Sequence, residues 1–432
     1  MSDAITFSAV GDCFLTRRLP KGDKEADKVK EIVKKGDARF ANLEVTVHRG
    51  EGTPSAFSGG TWAMAEPEVL HDLSSYSFNL LNGATNHALD YLYTGLSATE
   101  KYVKEHEFVY AGFGKNLADA AEPRYLETTK GRVALIACTS TFHESWAAGD
   151  QGPDMKGRPG INPLRYKTTY SVSNEKLSQL RNIAEATYIN ADQNLAIKEG
   201  FQTPSSENNL YFGGHFFKAG NAEGMKRSII EKDLMRLRKT VEQAKRQADY
   251  VIVSIHSHEM DKEDKNTPAD FQREFARDMI DTGADAIIGH GPHVLRGIEI
   301  YKDKPIFHSL GNFIFQNDTV DHLPRDFYEK YDLSYDANVA DAFDVRSENG
   351  KKGLGVNPNV WRSVIPVWKM DQGALKEIVL YPIDLGYGKP RYTRGWPQVT
   401  NDNSIIEHLQ TLSESFGTKI EIQDDGTGIV KL

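Results

Sequence analysis

The 432 residues predict an α/β protein, and three features carry that expectation. Short apolar runs alternate with stretches whose apolar residues recur at helical spacing, as in strands joined by helices. Hydrophobic residues make up 39% and charged residues 26%, the balance of a soluble chain that buries a core. No apolar run approaches the roughly 20 residues that span a bilayer. This pattern alone does not separate a sandwich of sheets from one doubly wound sheet. The length exceeds one typical core, so the chain is either an enlarged domain or a domain with an accessory region.

Taken in order, Ile5 to Val10 reads as a strand ending at Gly11-Asp12, which puts a carboxylate where α/β sheets collect ligands. A charged helix from Lys21 to Lys35 leads to a second strand, Ala38 to Leu43, followed by Glu44. The run Phe78 to Leu81 precedes Gly83-Ala84-Thr85-Asn86-His87-Ala88-Leu89-Asp90. A helix from Thr94 to Glu105 and a strand from Phe108 to Ala111 come next, and Val133 to Ala137 reads as a buried strand. From Thr139 to Ile229 the chain is rich in Gly, Pro, Asn and aromatics, and it reads as a long irregular insertion serving as a lid or binding wall. Within it Arg158 and Arg165 are placed to hold an anionic substrate, although solvated loop arginines would look the same. A helix from Glu231 to Gln247 then precedes the strand Tyr250 to Ile255, which terminates in His256-Ser257-His258. Pro268 to Thr282 is a helix stopped by Gly283, followed by the strand Ala286 to Ile288 and the loop Gly289-His290-Gly291-Pro292-His293. Strands are expected over Gly297 to Tyr301 and Pro305 to Phe315, and a polar, irregular surface stretch over Asp318 to Asn359. Two strands and a helix-strand pair finish the chain as a C-terminal extension over 360–432.

Composition narrows the function classes. A net charge of −9 gives no reason to expect nucleic-acid binding. Two cysteines, Cys13 and Cys138, exclude a disulfide framework or a Cys-rich zinc site and leave Cys13 open as a thiol nucleophile. The N-terminus shows neither a secretory signal nor a membrane anchor, so a cytoplasmic location is expected.

Asp12, Glu44, Asn86, His87, His256, His290 and His293 each follow a predicted strand. Singly, each reads equally well as a strand-end hydrogen-bonding group. Together they would deliver carboxylates, an amide and imidazoles to one sheet edge. Mixed nitrogen and oxygen ligands suit one or two divalent transition metals (Zn, Mn or Fe) better than Mg or Ca. One histidine would then remain for proton transfer.

The ordered motifs GD, NLE, NHALD, a strand ending in His, GHGPH and SLGNFIF, spread over Ile5 to Phe315, resemble the CapA family. That family is named for poly-γ-glutamate capsule biosynthesis and is similar to calcineurin-like metallophosphoesterases. The resemblance implies a single domain with a four-layer α/β/β/α sandwich and insertion 139–229. It also implies Asp12 as a metal ligand, Glu44 as the bridge, Asn86 as a ligand, His87 as general acid, and His256, His290 and His293 as ligands. Two positions depart from the phosphoesterase pattern: Phe14 stands where that pattern has His, and Glu44 where it has Asp. One metal site thereby loses a ligand, which suits a mononuclear or unequal pair.

The expected function is a metal-dependent hydrolase of small, anionic or peptide substrates, with metal-bound hydroxide attacking a phosphoester or a γ-glutamyl amide. One alternative is metal-assisted proton abstraction of the peptide-epimerase kind, for which His258 or His87 would be the base. Another is a non-catalytic polymer-assembly factor. The natural substrate and the oligomeric state are open.

Overall fold

The computed structural model describes residues 4–204 and 208–432. The chain divides into two compact units, residues 1–163 with 235–432, and residues 164–234. The larger unit holds the two main sheets. The main strands of these sheets in chain order are β1 (Ile5–Phe14), β2 (Ala38–Leu43), β3 (Leu80–Asn82), β4 (Val109–Ala111), β5 (Arg124–Thr128), β6 (Gly131–Thr139), β7 (Tyr250–His256) and β8 (Ala286–His290). There follow β9 (Leu295–Tyr301), β10 (Lys304–Leu310), β11 (Asn312–Phe315), β12 (Arg362–Asp371), β13 (Ala374–Asp384), β14 (Ile420–Ile422) and β15 (Gly428–Val430).

The first sheet runs β14-β15-β13-β12-β1-β2-β3-β4, with β11 also paired to β1. Its β1 to β4 half is parallel, whereas β12 joins β1 antiparallel. Residues from the expected C-terminal extension therefore pair directly with β1. The second sheet runs β9-β10-β8-β7-β6-β5, with parallel pairing from β10 through β8 and β7 to β6.

Alternation along β1 separates two cores. Ile5, Phe7 and Ala9 share one apolar cluster with Val133 and Leu135 of β6, Ile252 of β7, Ile288 of β8 and Phe307 of β10, so the two sheets bury their faces against each other. Val10 and Cys13 join a second cluster with Ala41, Leu81 and helix residues Val29, Val33, Leu70, Leu73, Leu96 and Val103. That cluster covers the other face of the first sheet. Asp23 starts the first helix, Lys24–Val33, by accepting hydrogen bonds from the Glu25 and Ala26 amides.

Several expectations change. The stretch from Thr139 to Ile229 is irregular only in its first part, because residues 164–234 carry a four-stranded sheet and the helices Asn174–Thr187 and Ala191–Lys198. Its β-branched and aromatic strands are short, and the Gly-Gly turn at 213–214 and the other polar connections dominate its composition. Residues 318–359 are not mere surface either. They form helices Arg325–Lys330 and Val339–Arg346, and Val320, Phe327 and Phe343 enter the same core as Trp361. The run expected as one strand over Pro305 to Phe315 breaks into β10 and β11 at Gly311, whose φ is +64°. Cys13 is not a nucleophile in waiting: it is fully buried, and burial pushes its thiol pKa well up.

Trp368 of β12 is 1% exposed, stacks on Phe7 at 5.1 Å and meets Phe307 at 5.2 Å, which makes it a filler between the two sheets. Trp368→Ala is expected to lower unfolding stability by about 3–5 kcal/mol, and Trp368→Phe by a fraction of that, read from denaturant midpoints. An unchanged midpoint for the alanine variant would contradict this packing.

Candidate metal centre

The parallel registers bring the polar strand ends into rows. In the first sheet Asp12 is paired with Asn42 of β2 and with Asn312 of β11, and Asn42 with Asn82 of β3. In the second sheet His256 of β7 is paired with His290 of β8. A register shift between Ala9 and Asp12 re-aims the end of β1. The approach there is close. A Cβ on Gly11 would sit 1.9 Å from the Gly311 carbonyl oxygen, while the Asp12 amide donates to that oxygen at 2.9 Å.

Asp12 is completely buried, and its Oδ1 accepts from Asn42 Nδ2 at 2.7 Å and its Oδ2 from the Gly291 amide at 3.0 Å. The same carboxylate lies 3.9 Å from His256 Nδ1, 3.8 Å from His290 Nδ1 and 3.6 Å from His293 Nδ1. Glu44 is also completely buried, and neither of its oxygens has a hydrogen-bond partner among the described residues. Its Oε1 lies 3.7 Å from His256 Nε2 and 3.8 Å from His293 Nε2.

The imidazoles face one another. His256 Nδ1 is 3.0 Å from His290 Nδ1, and its Nε2 is 3.1 Å from His258 Nε2 and 2.8 Å from Asn86 Oδ1. A neutral imidazole has one N–H, so this crowd of facing nitrogens leaves lone pairs unmatched. His293, in the left-handed region at φ +60°, has Nδ1 held at 2.9 Å from Asn312 Oδ1.

Three overlapping sets each offer ligand atoms within 4.8 Å of one another: Asp12, His256 and His290; Glu44, His256 and His258; and Asp12, Glu44 and His293. Burial holds the imidazoles neutral, with His256 and His258 pushed well below the usual histidine range and His290 and His293 down to about 3. Burial raises the carboxyls, Asp12 to about 7, and burial together with the Asp12 charge beside it pushes Glu44 well above the usual carboxylate range. Neutral imidazoles and two carboxylates lacking a cationic partner are the donor set that a divalent cation satisfies. The orphaned oxygens of Glu44 are the specific sign that these residues fit a metal.

His87 stands beside this set and belongs to a different device. Its Nδ1 lies 2.7 Å from Asp90 Oδ2, and Asp90 also accepts from the Gly59 and Ala63 amides. Phe14 presents its ring edge-on to His87 at 5.2 Å. All seven residues expected after strands are thus brought together, and His258, expected as a base, offers its Nε2 within a ligand set. The arginines are engaged elsewhere. Arg158 donates from Nε to the Ala147 carbonyl, and Arg165 forms a fork on buried Asp233 within residues 164–234. Asn42 and Asn82 escape sequence reading, although each stands at the end of its strand as Asp12 does.

In chelator, Glu44→Gln is expected to match wild-type thermal stability to within about 1 kcal/mol, because it removes a carboxyl that has no partner. With Zn or Mn at 100 times its dissociation constant, wild type gains about 2.7 kcal/mol, and the variant gains much less. Equal metal-induced shifts in melting temperature would contradict the role of Glu44.

The sequence profile described as "Bacterial capsule synthesis protein PGA_cap" matches residues 6–317. A relative, uncharacterized protein y4sH of Sinorhizobium fredii, is 35% identical over 444 aligned positions, covering 100% of this chain and 94% of its own. The PGA biosynthesis protein CapA of Bacillus subtilis is 27% identical over 320 positions, covering 72% of this chain and 64% of its own. A solved structure of a hypothetical protein from Thermus thermophilus matches at TM-score 0.40 with 12% identity, over 88% of this chain and 99% of its own. The match over residues 6–317 spans the whole cluster, and the chain belongs to the bacterial capsule synthesis protein PGA_cap family.

Proposed function

We propose that the chain is a metal-dependent hydrolase acting on a phosphoester or a γ-glutamyl amide, built on a four-layer α/β/β/α sandwich of the metallophosphoesterase type. The observation that carries it is the convergence of the unpartnered Glu44 carboxylate, Asp12 and four imidazoles in one buried cluster. The shared apolar core of the two sheets supports the sandwich. The amide alternative is supported by the Bacillus subtilis relative, which is named as a PGA biosynthesis protein.

Asp12, Glu44, Asn86, His256, His258, His290 and His293 would hold the metal. A divalent transition metal bound there supplies Lewis acidity and a way to deprotonate water at neutral pH. Asn42 and the Gly291 amide fix both oxygens of Asp12, and Asn312 fixes the His293 ring, so the donors are oriented before a ligand arrives. Asp90, itself tied down by two backbone amides, accepts a hydrogen bond from the Nδ1–H of His87 and so leaves Nε2–H of the imidazolium as the transferable proton. His87 then protonates the leaving group, and the buried Asp90 carboxylate stabilises the imidazolium between turnovers.

The test uses p-nitrophenyl and alkyl phosphoesters alongside γ-glutamyl anilides and γ-glutamyl peptides, with wild type, His87→Asn and Asp90→Asn at equal metal content. His87→Asn is expected to lower kcat/KM by about 10²–10⁴ for the poor leaving groups, alkoxide or amine. For p-nitrophenolate, which leaves without protonation, the loss should be far smaller. Asp90→Asn should follow the same pattern more weakly. Equal losses for good and poor leaving groups would remove His87 as the acid, and no turnover of either class by metal-loaded wild type would overturn the hydrolase reading.

A further inference from the structure

The larger unit has a cavity of about 260 Å³ that is lined by cations and lies apart from the metal cluster. Arg346, Lys352, Arg391 and Arg394 line it together with a single carboxylate, Asp318, and none of the cluster residues does. Its wall rests on the core behind the cluster. The Arg394 guanidinium lies 4.2 Å over the Trp361 ring, Trp361 meets Phe315 at 5.5 Å, and Phe315 meets His293 at 5.1 Å. Two aromatic rings therefore stand between Arg394 and that imidazole.

The local sequence explains how the cations gather. Arg346 ends the helix Val339–Arg346, and the chain turns back through the loop NGKKGLG, from Asn349 to Gly355. Gly350 and Gly353 sit at φ +77° and +91°, where a side chain is strained. A Cβ on Gly355 would lie 2.9 Å from Arg394 Nη2, so glycine there lets the guanidinium lie against the loop, where Nη1 donates to the Gly355 carbonyl at 3.4 Å.

The chain satisfies these cations only in part. Arg391 Nη2 donates to Asp344 Oδ1 at 2.7 Å and Arg394 Nη2 to Asp318 Oδ2 at 2.5 Å, one hydrogen bond in each pair. Lys352 pairs with Glu348, but both side chains are 59% exposed, and such a pair is weak in water. Arg394 Nε is buried without a hydrogen-bond partner among the described residues. Arg346 is half-buried and has no carboxylate partner among the described residues, its Nη1 donating instead to Thr61 Oγ1 at 2.5 Å. Thr61 lies between Gly59 and Ala63, whose amides hold Asp90, so Arg346 also ties the cavity to the loop behind the His87–Asp90 pair. A guanidinium carries five N–H donors in one plane, and three of them around one cavity present more donors than the acceptors there use.

We propose that this cavity binds a small oxyanion, a carboxylate or phosphate group, at a site separate from the metal cluster, with Arg346 as its principal contact. Planar guanidinium forks match the paired oxygens of either group, and the lysine at the rim adds charge that draws an anion in. A cavity of this volume suits a small acid rather than a drug-sized molecule. The site stands on its own lining and does not depend on what the metal cluster does.

The test titrates inorganic phosphate and succinate into wild type, Arg346→Gln and Lys352→Glu by calorimetry, with melting temperatures recorded on the same samples. Each protein is measured both metal-loaded and after chelation with the chelator removed. Wild type is expected to bind at least one probe at a site whose affinity is the same with and without metal, and the probe that binds identifies the group as phosphate or carboxylate. Arg346→Gln should lose about tenfold or more at that site, as when a charge-assisted hydrogen bond is removed. Lys352→Glu, which reverses a charge on a well-exposed side chain, should lose about as much. Absence of such a site in wild type overturns the proposal, and so does binding confined to the metal-loaded protein, which places the anion on the metal. Unchanged affinity in Arg346→Gln overturns it too, as does unchanged affinity in Lys352→Glu should the arginine variant fail to fold.

Discussion

Two carboxylates, Asp12 and Glu44, are held completely out of water among four imidazoles, and no lysine or arginine among the described residues comes within ion-pair distance of either. Burying an ionised carboxylate without a partner is costly enough that the group normally takes up a proton instead. A fold that keeps two of them side by side does so by surrounding structure alone. The Gly11–Gly311 approach, the hydrogen bonds from Asn42 and Gly291 to Asp12 and the apolar core shared by the sheets all hold this arrangement in place. Each of these supports lies on a strand or immediately after one, where packing leaves little freedom.

The division of labour in the cluster follows from hydrogen bonding. His256, His258, His290 and His293 point nitrogens toward one another and toward the carboxylates, whereas His87 is turned to Asp90. An imidazole whose Nδ1 is committed to a buried carboxylate is poorly suited to share a cation through that atom, and well suited to carry a proton on the other. Phe14 reinforces the separation by filling the space beside His87 with an apolar ring.

Much of this is legible in the sequence because parallel strands make it so. Asp12, Glu44, Asn86, His256 and His290 stand at or just beyond strand ends, and parallel registers turn such positions into spatial neighbours. Asn42 and Asn82 go unnoticed because an asparagine closing an apolar strand looks like an ordinary turn former until its register with Asp12 is known. Residues 164–234 mislead for the opposite reason. Short strands with half-exposed faces lack the continuous apolar runs that mark the central sheets, so composition suggests a loop where a small sheet forms. Residues 318–359 hide their core contacts in the same way, since isolated Phe327 and Phe343 carry burial that no periodic pattern announces.

Hydrolysis at this cluster requires that it take a metal. Elemental analysis of freshly purified wild type and of a His290→Ala, His293→Ala double variant, each also measured after chelation and reconstitution with Zn, Mn or Fe, decides it. One to two equivalents of a transition metal in wild type, lost in the double variant while its fold is retained, is the predicted result. A wild type that holds no metal even after reconstitution, or a double variant that holds as much as wild type, would contradict the account.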